Sequence, residues 1–128
     1  MKKILIVEDN SEYVRFWTMA VLRKYPECTI LSFSTPQEAL VGIAKNLDFD
    51  ILLLDGELAN WTHGREVLKT LTEEQVKKTA ICSANRDFIA EAKTKGVTFQ
   101  LEKEPDWVEA SELFTYIVET LEQIHSAK

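Results

Sequence analysis

The chain has little sulfur. Its two cysteines, Cys28 and Cys82, lie inside apolar runs that read as strands and lack metal-ligand spacing, so they read as small buried hydrophobes with free thiols. Long apolar runs are missing too. No window approaches the roughly 18 residues of a membrane span, and Met1-Lys2-Lys3 leads into a stretch too short for a signal peptide. A cytoplasmic location, away from the membrane, is the expectation. Positive charge is short: 15 Lys and Arg stand against 21 Asp and Glu, a net charge of −6. No basic stripe is available to neutralise phosphates, so direct nucleic-acid binding is not expected. Repeats, low-complexity segments and linkers are also missing, and 128 residues make one domain, 1–128, with room for a sizeable core.

What is present is a set of apolar runs that end in acids. Ile51-Leu52-Leu53-Leu54 runs straight into Asp55. Four consecutive branched residues read as a strand buried on both faces, as in the middle of a parallel sheet covered by helices. Ile4-Leu5-Ile6-Val7 repeats the device and ends in Glu8-Asp9. In open parallel sheets ligands bind outside the carboxyl ends of the strands. Glu8, Asp9 and Asp55 are therefore expected at one edge, where a site forms.

Apolar runs alternate with helical patterns five times. Strands are expected at 3–8, 28–33, 51–55, 79–83 and 98–102. Helices are expected at about 11–25, 36–46, 64–71, 87–95 and 106–124. Asn10 and Ser11 offer caps to the first helix, with an N-cap as the competing role for Asp9, and Pro26 stops it. Pro36 opens the second helix, and Gly96 closes the fourth. Phe114, Ile117, Val118, Leu121 and Ile124 form one face of the last helix. In the first, Val14, Trp17, Ala20, Val21 and Lys24 read as the inner side, leaving Phe16 and Met19 facing away. Five strands alternating with five helices specify a doubly wound parallel α/β sheet with right-handed crossovers.

From end to end the chain resembles a bacterial response-regulator receiver domain. The family carries an acidic pair after the first strand, Asp ending the third, Ser or Thr ending the fourth and Lys ending the fifth. Here these are Glu8-Asp9, Asp55, Ser83 followed by Ala84, and Lys103. The resemblance implies a flavodoxin-like strand order, 2-1-3-4-5, which separates the strands of Cys28 and Cys82 and disfavours a disulfide. It implies that Asp55 accepts a phosphoryl group as an aspartyl phosphate. Ser83 and Lys103 then contact phosphoryl oxygens. Glu8, Asp9, Asp55 and the backbone carbonyl of Glu57 hold the metal. Hard oxygen donors without His or thiolate select Mg²⁺, or Mn²⁺, over zinc.

By the same resemblance the phosphodonor is a histidine kinase or a histidine phosphotransfer protein, met through the first helix. The chain ends after the fifth helix, so signal is expected to pass to a downstream protein. A monomer or weak dimer is expected, and no enzyme in the usual sense. Two alternatives stay open: a non-phosphorylated, receiver-like interaction module, and a phosphohydrolase of similar topology.

The sequence departs from the family in places. Leu58-Ala59 replaces the common Met-Pro, and Gly64 arrives one residue late, as if the loop were longer. That loop holds Trp61 and His63, the latter read as solvated. Gln100 stands where many receivers carry a switching aromatic, and Glu104 separates Lys103 from Pro105. The phosphoryl chemistry reads as intact and the output switch as altered.

Overall fold

The computed structural model describes residues 2–102, 119–124 and 126. Five parallel strands form a single sheet: β1 (Lys3–Val7), β2 (Thr29–Phe33), β3 (Ile51–Leu54), β4 (Thr79–Ser83) and β5 (Phe99–Glu102). Their spatial order is β2-β1-β3-β4-β5, the flavodoxin-like order expected from the sequence. Helices α1 (Ser11–Lys24), α2 (Pro36–Lys45), α3 (Arg65–Leu68), α4 (Glu73–Lys77) and α5 (Arg86–Lys95) follow the strands in turn. Residues 119–124 are also helical.

The count of α-helical segments among the described residues is therefore six rather than five. The helix expected over 64–71 ends at Leu68, and a separate turn of helix, α4, starts after Thr72. Its cause is local. The Thr72 hydroxyl accepts from the Gln75 amide while the Gln75 side chain accepts from the Thr72 amide. This reciprocal cap satisfies two amides at the helix start.

Alternate residues of the central strands serve two cores, as the pleat requires. Leu5, Val7, Leu52, Leu54 and Ile81 pack with Ala39, Ile43, Val67 and Phe88 on the face covered by α2, α3 and α5. Ile4, Ile6, Ile51, Leu53, Ala80 and Cys82 pack on the other face with Trp17, Ala20 and Val21 of α1 and with Leu121 and Ile124. β3 is buried at all four positions, as its unbroken apolar run demands. Both cysteines are free and buried, and burial pushes the Cys28 thiol up.

Two assignments within α1 change. Phe16 is partly buried against the α1-side core rather than facing away. Lys24 is exposed and pairs with Glu122 at 2.7 Å. Met19 does face solvent. Phe114, Ile117 and Val118 lie outside the described residues, whereas Leu121 and Ile124 are buried as expected.

The loop after β3 is fastened at both ends. The Gly64 amide donates to the Gly56 carbonyl at 2.7 Å, and the Leu58 amide donates to the Thr62 carbonyl at 3.1 Å. A Cβ on Gly64 would stand 2.0 Å from the Asp55 carbonyl oxygen and 3.2 Å from the Gly56 Cα. Both neighbours are backbone and have no rotamer to yield with. Gly64→Ala should therefore cost on the order of 1–3 kcal/mol or more, the range of overpacked sites. A fall in the urea midpoint at unchanged m-value checks it.

Candidate functional site

The parallel register delivers the acids to one place. β1 aligns Val7 with Leu54, and the Asp55 amide donates to the Val7 carbonyl at 2.9 Å. Glu8 and Asp55, each the first residue past its strand, thus stand side by side. One carboxylate oxygen from each of Glu8, Asp9 and Asp55 can be chosen so that all three lie within 4.8 Å of one another. Glu8 is 2% and Asp55 5% exposed, while Asp9 is open to solvent. The competing cap role for Asp9 is taken by its neighbour: the Asn10 side chain accepts from the amides of Glu12 and Tyr13. Asp9 is left to face the cleft.

Ser83 ends β4 on the same edge, fully buried, with its hydroxyl accepting from the Asn85 amide at 3.0 Å. An open cleft of about 800 Å³ is lined by Glu8, Asp9, Asp55 and Ser83, by Tyr13 of α1, and by the Glu57–His63 loop. Glu57 is exposed and pairs with His63 in an isolated antiparallel bridge. Lys103, and Glu104-Pro105 after it, lie outside the described residues. The Gln100 side-chain amide donates to the Val97 carbonyl at 3.0 Å.

The donor set fits a hard divalent cation. Three carboxylates converge from two chain segments, two of them buried, with no nitrogen or sulfur ligand in the cluster. Such a set suits Mg²⁺ or Mn²⁺ and offers one side open to solvent and substrate oxygens.

His63 departs from its reading as a solvated loop residue. Its Nδ1 accepts the Arg65 amide at 3.0 Å, and its ring stands edge-on to Phe88 at 5.2 Å between centroids. Its Nε2 is enclosed with no hydrogen-bond partner among the described residues. Arg65 in turn pairs with Glu91 of α5 at 2.6 Å, tying the loop's end to that helix. The polar setting of His63 in sequence gave no sign of this, because Phe88 comes from a distant segment.

No protein-family model matches the sequence, and no curated protein matches it. Solved structures match along its length. The phosphorylated cyanobacterial phytochrome response regulator RcpA superposes with a TM-score of 0.82 at 24% identity, over 99% of this chain and 96% of that one. A CheY-like receiver domain protein from Methanospirillum hungatei gives 0.72 at 20%, over 100% and 99%. The Mn²⁺-bound form of the response regulator Rcp1 gives 0.74 at 18%, over 93% and 91%. The chain has the receiver-domain fold. At the tip of the loop after β3, Asn60 and Trp61 both take left-handed φ values, 59° and 60°.

Burial and the Arg65 charge hold the His63 pKa below its ordinary value near 6.5. The folded state therefore binds fewer protons here than the unfolded chain in the range just below pH 6.5, and stability falls as pH drops through it. The His63 contribution is fully present above that value. His63→Gln should remove this part of the slope, checked by comparing urea midpoints of wild type and variant between about pH 7.5 and 5.5.

Proposed function

We propose that this chain is a phospho-accepting receiver of two-component signalling, with Asp55 taking a phosphoryl group from a phosphohistidine. The convergence of Glu8, Asp9 and Asp55 in an open cleft at the carboxyl edge of the sheet carries the reading. An Asp55 carboxylate oxygen attacks phosphorus as the bond from phosphorus to the donor's histidine nitrogen breaks. The nitrogen keeps the electron pair and the histidine is regenerated. The chemistry asks for position and charge neutralisation more than for covalent machinery.

Glu8, Asp9, Asp55 and the Glu57 backbone carbonyl would hold Mg²⁺, with Mn²⁺ as a substitute. When bound, the cation neutralises charge on the carboxylates and phosphoryl oxygens. The Ser83 hydroxyl, already at the cleft, donates to one phosphoryl oxygen, and Lys103 supplies a cation to another. The protein is a signalling component rather than an enzyme with a turnover substrate. Its partners are a histidine kinase or phosphotransfer protein and a downstream protein, in the cytoplasm.

A second reading, a receiver-like module that is never phosphorylated, draws on Gln100. Bound back to Val97, it leaves the fifth strand without the aromatic that reorients in many receivers. Labelling decides between the two.

With acetyl phosphate and Mg²⁺, intact mass should show one added phosphoryl group, labile to base and absent in Asp55→Asn. No gain in wild type, where a known receiver is labelled, would favour the unphosphorylated module. Calorimetry should separately give a Mg²⁺ affinity of roughly sub-millimolar to millimolar strength, as for oxygen sites that keep their waters. Asp9→Ala should lose most of it; equal binding by that variant would remove Asp9 from the site.

A further inference from the structure

Trp61 is fully exposed at the rim of the cleft that holds Asp55. Its backbone is in the left-handed region, which a bulky side chain occupies at a cost. Asn60, beside it, tolerates that conformation far better. The tip is also firmly built. The Ala59 amide donates to the Ser34 carbonyl at 3.1 Å, the Thr62 amide and hydroxyl both donate to the Ala59 carbonyl, and Leu58 is buried in the core. A strained, hydrogen-bonded turn thus holds an indole out into water. Nothing in the internal packing of the loop requires an indole there. Exposed indoles on preorganised loops are the side chains that most often anchor protein interfaces.

The surroundings indicate the occupant. The cleft beside Trp61 carries Glu8, Asp9, Asp55 and Glu57, and no lysine or arginine lines it among the described residues. Glu8, Asp9 and Asp55 face the cation, but the exposed Glu57 carboxylate does not, so a partner seated on this rim meets a negative charge and an open ring face, which together favour Arg or Lys. A small phosphodonor reaches Asp55 through the cleft mouth without touching the rim. A protein that carries its phosphoryl group on a histidine is too wide to do so.

We propose that Trp61 is the docking anchor for the protein phosphodonor, contacting a basic surface beside its phosphohistidine. The inference rests on the reading of Asp55 as phospho-acceptor and adds the residue that selects protein donors over small ones. Trp61 touches no reacting atom; it binds and orients the donor.

The test compares two donors on wild type, Trp61→Ala and Trp61→Phe, all with Mg²⁺. The first donor is acetyl phosphate. The second is each histidine kinase and histidine phosphotransfer protein of the encoding organism, purified and phosphorylated on histidine. Trp61→Ala should keep its acetyl phosphate labelling rate within about twofold and lose about tenfold or more in kcat/KM for transfer from the protein donor, mostly through KM, as for an interface anchor. Trp61→Phe should recover part of the loss. The melting temperature of Trp61→Ala should be no lower than that of wild type, which separates docking from folding.

Equal transfer to wild type and Trp61→Ala overturns the inference. So does an equal loss with acetyl phosphate, which would put Trp61 in the chemistry of the cleft. Labelling of wild type by acetyl phosphate with no transfer from any phosphohistidine protein overturns the inference and leaves Asp55 as acceptor. Absence of labelling by both donors removes the acceptor reading itself, and the inference with it. Dimerisation of the wild type that Trp61→Ala abolishes, seen by sedimentation, would assign the ring to a second copy of the chain instead.

Discussion

The hydrogen bond from the Asp55 amide to the Val7 carbonyl sets the register on which the site depends. It fixes β3 against β1 so that the first residues past each strand, Glu8 and Asp55, stand together. Slippage by one residue would send every side chain of β3 to the opposite face, and both faces are buried. The register is thus held by the whole core, with Leu52 and Leu54 on one side and Ile51 and Leu53 on the other. The packing that stabilises the sheet also holds the carboxylates at their separation.

Glu8 and Asp55 are almost fully buried and lie within reach of each other and of Asp9. The fold keeps the acids together through hydrophobic burial elsewhere, a common division of labour between a site and its scaffold. The loop from Gly56 to Gly64 closes one side of the cleft by a backbone contact so tight that only glycine fits at its end.

The loop is shaped by its two ends. Gly64 must press on the Asp55 carbonyl, and Leu58 must reach the core, so both ends are fixed. Between them the tip turns through Asn60 and Trp61, both with left-handed φ values. His63, just inside the far end, is turned inward against Phe88. It hands its Nδ1 to the Arg65 amide, while Arg65 holds Glu91 on α5. The wall of the cleft is therefore tied to α5 by a ring contact and an ion pair.

The parallel sheet, its strand positions and the meeting of Glu8, Asp9 and Asp55 could all be read from the residues, because a strand buried on both faces leaves an unbroken apolar run and an abrupt polar end. Capping was legible in kind, since Asn10, Pro36 and Gly96 act over a few residues. The break between α3 and α4 is equally local, set by Thr72 and Gln75. The inward turn of Phe16, the enclosure of His63 and the close approach at Gly64 were not legible. Each depends on which distant segment arrives beside the residue: Phe88 for His63, the α1-side core for Phe16, the Asp55 backbone for Gly64. Local pattern determines what a segment prefers to be, and only tertiary packing decides which side chains that leaves enclosed and which it leaves in water.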